Sequence, residues 1–507
     1  MIETDETELL IPNNHIENVE IERAKSSRAH LFALTAALLF SIGSHYATNN
    51  FGALKEMIED DLDISNASYE ITQSTIHLMN TVLPLFGGIM MDQFGSTPGA
   101  LISNSFILLG NLFIALTFSL QKSSYSFDLL LLGRGFHGIG SGMIVVSQEM
   151  ILSRWFSNSD MATVIGLQIG VSRFANWVAQ ASANFIAELT GSIEGPMWVT
   201  VCICFLSWLS TLIYAKIIKP FEELSAKNLE RTSISAGWLF YLPLGFWILP
   251  FTAMSLDSIW APFFASAVEY IEYSDLSVTT SISQKDVKAG WESSFGFLLP
   301  IFLSPMIGWV IDKKGHRSII VVCSALLTVI SLTILSFNIS FLFLGLVLFS
   351  VAHTLGPVAL TSSIPLILPK ELVGTGIGAN KVGISLGITL LHLLAGLIQT
   401  KAPGTDWSNV ILLLLLVSLF GVFMAGLYCI YSSKYMFGIL DVPSKLRRDV
   451  VWENFDSLIS GRPLSSLSPP LIYQKLMACA FILLVAVSWI VYFLVFILNG
   501  KAPNHFP

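Results

Sequence analysis

Long apolar stretches of about twenty residues recur along this chain and are separated by short polar turns. Wound as an α-helix, a stretch of that length crosses the roughly 30 Å hydrocarbon core of a bilayer. The pattern therefore predicts two groups of six membrane spans. The first group lies at about 29–50, 69–91, 98–119, 128–150, 161–187 and 196–218, and the second at about 238–266, 291–311, 318–336, 341–363, 374–398 and 408–432.

One more apolar stretch, Leu476–Leu498, has no counterpart in either group and contains no charged residue. It is long enough to form a thirteenth span, with a hydrophobic hairpin as the alternative. These patterns divide the chain into a tail at 1–28, a six-helix bundle at 29–218, a linker at 219–237, a second bundle at 238–432, a polar segment at 433–475 and the extra span at 476–498.

Composition supports an all-α membrane protein. Of the 507 residues, 53% are hydrophobic and only 12% are charged, whereas soluble domains are about a quarter charged. The net charge of -8 and the lack of a basic recognition module argue against nucleic acid as a partner. The five cysteines lie in apolar stretches without metal-ligand spacing, and no phosphate-binding loop or nucleophile motif occurs. We therefore expect no metal, no cofactor and no enzymatic activity.

Lysine and arginine residues are concentrated on the side of the membrane that would also hold the amino terminus. Positive residues mark the cytosolic side of a membrane protein, so the amino terminus is predicted to be cytosolic. The sequon Asn66-Ala67-Ser68 then lies on the opposite side, where Asn66 could be glycosylated.

Two short segments repeat the pattern G-x-x-x-D-x-x-G about 220 residues apart, each at the end of the second span of its group. Glycine permits a tight turn, and the aspartate can bond a neighbouring helix end or a basic residue. Two copies at equivalent places predict two homologous halves that rock around a central site, with gating residues in both turns. These residues are Gly88, Asp92 and Gly95 in the first copy and Gly308, Asp312 and Gly315 in the second.

The twelve spans and the two turns resemble the major facilitator superfamily of transporters. The second copy has the family's basic residue as Gly315-His-Arg317, whereas the first reads Gly95-Ser-Thr-Pro98. The amino-terminal turn is therefore expected to be held differently.

Spans 4 and 5 are similar to a narrower branch, major facilitator superfamily domain-containing protein 1. The similar segments are Gly133–Gly140, Gln148, Trp155-Phe156, Ile165–Gln168 and Ser172-Arg173. This resemblance implies a lysosomal dipeptide uniporter with a glycosylated accessory membrane subunit, in which Arg173 binds the peptide carboxylate. The acidic residue that would hold the peptide's amino group is absent, since Gly142 stands at that position.

Ionisable side chains inside membrane spans are costly unless they are paired or hydrated, so each is a candidate for function. Arg173 lies near the middle of span 5, where its guanidinium could clamp a carboxylate or form a structural pair. Lys381 lies in span 11, the repeat equivalent of span 5. Two such cations would favour an anionic substrate or one that carries a carboxylate, unless Lys381 extends to the interface. Asp257 in span 7 could bind an ammonium group or a proton.

Other polar residues extend this predicted site. Arg134 in span 4 is a candidate for coupling or for helix packing. Glu149 near the end of that span is expected to pair with Arg154, with membership of the site as the alternative. Spans 1 and 7 are equivalent in the repeat and carry polar and aromatic residues that are expected to complete the pocket: Tyr46, Asn49, Asn50 and Trp260.

The amino-terminal tail contains Asp5-Glu-Thr-Glu-Leu9-Leu10, an acidic-dileucine pattern that sorting adaptors read as an address to lysosomes or vacuoles. Its alternative is an incidental pair of leucines in a disordered tail. Together the patterns predict a secondary transporter of a small carboxylate-bearing solute, dipeptides or amino acids first. A proton-coupled carrier of sugars or organic anions and a transport-inactive scaffold or receptor are the alternatives.

Overall fold

The structure is a computed structural model that describes residues 31–120, 125–156, 160–226, 240, 242–265, 282–337, 341–368, 372–401, 407–436, 438–443 and 471–499. Within these ranges the chain is helical and contains no β-strand. The long helices are α1 Leu31–Ala53, α2 Asn66–Phe94, α3 Ser96–Ser119, α4 Ser126–Trp155, α5 Met161–Thr190, α6 Glu194–Ala226, α7 Leu244–Phe264, α8 Ile282–Lys314, α9 Arg317–Phe337, α10 Leu342–Ile367, α11 Val373–Lys401, α12 Trp407–Tyr435 and α13 Leu471–Asn499.

Every predicted span corresponds to one of these helices. All of them except α5 contain a stretch that is long and apolar enough to cross a membrane. Helix α5 differs because it carries a polar side chain every four residues, at Gln168, Ser172, Asn176 and Gln180. Such a stripe faces one side of a helix, which is the side turned toward the protein interior. Helix α6 runs on to Ala226, into the predicted linker.

The two six-helix groups meet along two pairs of helices. Helix α5 packs against α8, and α2 packs against α11, so that each pair contains one helix from each half. The turns after α2 and α8, which carry the repeated aspartates, lie at the same end of this bundle. We call this end the motif face and the opposite end the far face.

Two helices are interrupted where they pass the centre of the bundle. Helix α2 consists of Asn66–Met79 and Leu83–Phe94, with a turn at 80–82 between them. Helix α7 changes to a 3-10 turn at Asp257–Ile259. Interruptions of this kind turn polar groups away from the regular helix pattern, and they place Asn80 and Asp257 beside the central cavity.

The extra carboxyl-terminal helix, α13, is one continuous helix rather than a hairpin. It packs across the boundary between the halves, against α2 of one and α7 and α11 of the other. The Tyr492 hydroxyl lies 2.7 Å from that of Thr75 on α2, and Phe481 packs against the ring of Trp247 on α7. Its outer side exposes large apolar residues, as expected for contact with lipid.

Candidate functional site

A cavity of about 280 Å³ lies at the centre of the bundle, between the two halves. Helices α1, α2, α4 and α5 line it from one half, and α7, α10 and α11 line it from the other. Its size is close to the lower end of the range for small-molecule sites, about 300–1,000 Å³. A site shared between two rocking halves is the arrangement that alternating access requires.

Two cations and two carboxylates line this cavity. The Lys381 ammonium lies 2.9 Å from the Glu149 carboxylate, which joins α11 of one half to α4 of the other. The guanidinium carbon of Arg173 lies 3.6 Å from the centre of the Trp260 ring, a cation–π contact. The charge of Asp257 interacts with both Lys381 and Arg173.

These positions correct one expectation from the sequence. Glu149 pairs with Lys381 and not with Arg154, whose guanidinium instead donates to the backbone carbonyl of Met91 at 3.5 Å. The two cations line the cavity together with the carboxyl groups of Glu149 and Asp257. A buried cation finds a carboxylate on a helix far away in sequence because neither charge can leave the site for water.

Several buried polar atoms at the cavity have no hydrogen-bond partner among the described residues. They are Asn80 Oδ1, Glu149 Oε2, Gln168 Oε1, Arg173 Nε and His353 Nε2. Buried polar groups are normally paired, and leaving one unpaired costs about 1–3 kcal/mol. We therefore expect these atoms to bond water or a solute.

The direction in which each residue points around the helix axis decides which of the predicted pocket residues reach the cavity. On α1 the lining residues include His45, Thr48, Asn49 and Gly52, a spacing that follows one face of a helix. Tyr46 and Asn50 lie on another face and do not line the cavity. The Tyr46 hydroxyl lies 3.3 Å from that of Ser182 on α5, and the Asn50 amide donates to the Pro196 carbonyl on α6 at 3.4 Å. Trp260 lines the cavity, and its role in binding substrate stays a prediction.

Gln168 and His353 were not among the predicted site residues, although both line the cavity. The four-residue polar spacing along α5 is the signal that could have identified Gln168. For His353, which stands alone on α10, the sequence contains no comparable signal. It contacts the Trp260 ring, with ring centres 5.3 Å apart.

At the motif face, each repeated aspartate caps the first turn of a helix in the opposite half. Asp92 Oδ2 accepts hydrogen bonds from the backbone N–H and the hydroxyl of Thr375 on α11, at 2.8 and 2.9 Å. Asp312 Oδ2 accepts the same two bonds from Thr163 on α5, both at 2.8 Å. A carboxylate at a helix start is stabilised by the free N–H groups and by the helix dipole.

The glycines of the motif have two separate roles. Gly95 and Gly315 have positive φ angles of 97° and 78°, which permit the turn. Gly88 and Gly308 instead allow close packing between the halves. A methyl group on Gly88 would overlap the carbonyl of Gly374, and one on Gly308 would overlap that of Ala162.

The halves also meet on the far side of the cavity. The ring of His392 on α11 lies 2.7 Å from the carboxylate of Glu70 on α2. Contacts between the halves therefore lie on both sides of the cavity, toward the motif face and toward the far face.

Arg134 lies inside the amino-terminal half and does not bridge the two halves. It is fully buried, donates to the Thr72 carbonyl at 3.1 Å and to the Gln73 side chain, and lies 4.1 Å from the centre of the Phe51 ring. These contacts show helix packing, whereas a role in gating stays a prediction.

Asn66 is the first residue of α2, and the neighbouring Ser68 is buried and bonded to Ser65. These contacts neither support nor contradict glycosylation of Asn66, which stays a prediction. The acidic-dileucine residues Asp5, Leu9 and Leu10 lie outside the described residues.

Comparison with known proteins identifies the class. The sequence pattern of the Major Facilitator Superfamily matches residues 34–283 and again residues 263–502. The chain therefore belongs to the Major Facilitator Superfamily and is a multi-pass membrane transporter. The predicted fold class is confirmed, and the double match agrees with two homologous halves.

Individual relatives narrow the similarity. The chain is 23% identical over 391 residues to the "Lysosomal dipeptide transporter MFSD1" of Homo sapiens, covering 74% of this chain and 81% of the relative. The protein of the same name from Danio rerio is 23% identical over 396 residues, or 72% and 81% of the two chains. The predicted resemblance to this branch is thus confirmed.

A solved structure shares the fold. The proton:xylose symporter XylE superposes with a TM-score of 0.62 at 12% sequence identity, covering 82% of this chain and 96% of the symporter. At this identity the likeness establishes the architecture alone.

Proposed function

We propose that this protein carries dipeptides across a lysosomal or vacuolar membrane by alternating access. The observation that supports this most directly is that two basic and two acidic side chains line the central cavity, Arg173 and Lys381 beside Glu149 and Asp257. A zwitterion brings one charge of each sign and can therefore bind a group of each kind. An organic anion would leave the acidic side chains without a partner from the substrate.

Arg173 is the residue that we assign to the substrate carboxylate. Its guanidinium is held over the face of Trp260, and its Nε has no hydrogen-bond partner among the described residues. A planar guanidinium offers two parallel N–H groups to a carboxylate, which a lysine ammonium cannot do. The charge of Asp257 interacts with Arg173 and would help to hold the guanidinium in place before substrate binds.

Transport needs no chemical step in this mechanism. The solute enters when the halves separate at one face, is enclosed in the central cavity, and leaves when they separate at the other. The contacts that must break are those of Asp92 and Asp312 at the motif face, and the Glu70–His392 contact on the far side. Binding moves the equilibrium only as far as it favours one form over the other.

The location is proposed from two facts. The relatives from several vertebrates are named lysosomal transporters, and the tail contains an acidic-dileucine pattern. With the motif face and the amino terminus in the cytosol, this tail would be accessible to sorting adaptors. Replacing Leu9 and Leu10 together by alanine should then move the protein to the cell surface, and an unchanged location seen by microscopy would rule out this signal.

The function is tested by uptake of a labelled dipeptide, glycyl-leucine, into liposomes that contain the purified protein. Arg173→Ala should reduce uptake at least tenfold, because a charged hydrogen bond is worth about 1.5–3 kcal/mol. Arg173→Lys should also be impaired, since it keeps the charge but not the planar fork. Lys216→Ala is the control, because this cation is exposed on α6 and does not line the cavity. Full uptake by Arg173→Ala at unchanged thermal stability would overturn the assignment.

A further inference from the structure

The ion pair between Lys381 and Glu149 closes the cavity on the side of the motif face. Glu149 lies about two turns from the end of α4, and Lys381 lies about two turns from the start of α11. Both ends are at the motif face. The pair is well shielded, since the side chains of Lys381 and Glu149 are 23% and 3% exposed. It is therefore a contact between the halves that opening at this face must break.

Only half of the Glu149 carboxylate is used by this pair. Oε1 contacts Lys381, whereas Oε2 is buried without a hydrogen-bond partner among the described residues. Gln168 on α5 approaches the same carboxylate, with its amide nitrogen 3.5 Å from Oε1. The amide oxygen of Gln168 is also buried and has no partner. Two neighbouring residues that line the cavity thus each have a buried acceptor atom without a donor among the described residues.

An ammonium group fits these acceptors better than any other common solute group. It has three N–H donors and no acceptor, so it can bond Oε2 of Glu149 and the amide oxygen of Gln168 together. Bonds between an ammonium and a carboxylate are also charge-assisted and correspondingly strong. Two hydrogen bonds fix the orientation of the Gln168 amide. Its nitrogen donates to the side-chain oxygen of Gln148 at 3.2 Å, and the amide nitrogen of Gln148 donates in turn to the Ala37 carbonyl at 2.9 Å.

Asp257 is the other carboxylate at the cavity and is the less suitable of the two. Its charge already interacts with both cations, Lys381 and Arg173, so a substrate ammonium placed there would disturb the group that holds Arg173. Glu149, in contrast, has one carboxylate oxygen, Oε2, without a hydrogen-bond partner among the described residues.

We infer that Glu149, with Gln168, binds the ammonium group of the substrate. In the loaded protein this bond replaces the ion pair between Glu149 and Lys381. This inference rests on the dipeptide transport proposed above and identifies the residue that binds the free amino group of the dipeptide. When the ammonium binds, Lys381 loses its partner on α4, and Asp257 remains as its counter-ion. The loaded cavity has then lost the ion pair between α4 and α11, so opening at the motif face no longer has to break it.

The test compares two ligands on the full-length purified protein by thermal stabilisation, which reports binding without transport. The ligands are glycyl-leucine and N-acetyl-glycyl-leucine, which differ in the ammonium group. The natural protein should bind the free dipeptide at least tenfold more tightly. Glu149→Gln should abolish this preference. Lys381→Met should retain it and bind the free dipeptide several-fold more tightly, because the competing cation is gone. Asp257→Asn should weaken the binding of both ligands, because Asp257 helps to hold Arg173, but the free dipeptide should still bind more tightly. Asp128→Asn changes an exposed carboxylate on the same helix as Glu149; it is the matched control and should keep the full preference.

Each result distinguishes the inference from the proposed function. If neither ligand stabilises the natural protein, dipeptide transport itself is wrong. If both bind equally, or if Glu149→Gln keeps the preference, the dipeptide proposal stands and the role of Glu149 is wrong. A preference lost in Asp257→Asn but kept in Glu149→Gln would place the ammonium at Asp257. Should Glu149→Gln fail to fold, the double variant Glu149→Gln/Lys381→Met removes both buried charges together and gives the same readout.

Discussion

The two repeated turns at the motif face make the same contact between the halves but are supported in different ways. Asp92 and Asp312 each accept a backbone N–H and a threonine hydroxyl at the start of a helix in the other half. The bond lengths agree within 0.1 Å. The contact is therefore a property that both copies of the motif share.

Their surroundings within each half are not shared. Arg317 beside the second turn is fully buried and lies 3.6 Å from Asp312. The segment 438–443 folds back onto this turn, where Asp441 accepts the backbone N–H of Ser318 at 2.9 Å. Near the first turn, the corresponding arginine is replaced by Thr97, and a guanidinium from the neighbouring helix, that of Arg154, donates to the Met91 carbonyl.

This difference separates two roles that the motif combines. The aspartate and the glycine four residues before it form the contact between the halves, and they are alike in both copies. The basic residue and its partners brace the turn within one half, and they have diverged. The capped helices also carry the two cations of the cavity. Asp312 caps α5, which contains Arg173, and Asp92 caps α11, which contains Lys381. A substitution at either cap can therefore move a cation of the cavity by shifting the single helix that carries it.

The largest expected effect tests the shared part of the motif. Gly88→Val and Gly308→Val would each place side-chain atoms against a backbone carbonyl of the other half, which cannot move aside as a flexible side chain could. Closing at the motif face should fail in both variants, and uptake should fall at least tenfold. Gly426→Val on α12 is the control, because nothing lies within 4 Å of its added carbon. Normal uptake in either variant would contradict the symmetry of this contact.

A smaller effect is expected when only the charge of each cap is removed. Asp92→Asn and Asp312→Asn keep a side-chain acceptor at the helix start but lose the interaction of the negative charge with the helix dipole, which is worth about 0.3–1 kcal/mol. Opening at the motif face should become about 2–5-fold more favourable, to the same extent in both variants. The measurement is the rate at which a polar maleimide labels a cysteine at Ser385 in the cavity, with the native cysteines replaced. Asp128→Asn, an exposed carboxylate at the start of α4, is the control, and unequal shifts would show that the two caps differ.

Much of this architecture could be predicted from the sequence, because it depends on local patterns. Apolar length predicts the long helices other than α5, and the repeated motif predicts both turns on one face. The partners of Asp92 and Asp312 could not be predicted, since they are backbone N–H groups at the starts of distant helices and no residue type marks them. The resemblance to the relatives identified Arg173 as a site residue, and the structure places it at the cavity.

Two errors show where the prediction of the site stopped. Glu149 was paired with Arg154 because the two are close in sequence, whereas its partner Lys381 becomes a neighbour only when α4 packs on α11. Tyr46 and Asn50 were placed in the pocket because they lie in a polar cluster. Successive helix residues point about 100° apart, so the phase of the cluster would have separated Asn49 from Asn50. The first error required knowledge of the packing, and the second did not.

The smallest effect tests the part of the motif that differs between the halves. The Ser318 hydroxyl donates to Asp441, whose two carboxylate oxygens lie 2.8 and 2.7 Å away, and Pro98 at the equivalent position has no N–H to satisfy. Ser318→Ala should therefore lower the stability of the protein by about 0.5–1.5 kcal/mol, the usual value of a hydrogen bond. Labelling at Ser385 should not change, because Ser318 and Asp441 belong to the same half and move together. A change in labelling as large as that of Asp312→Asn would mean that segment 438–443 is itself part of the gate, and that bracing and gating are not separate in the second copy.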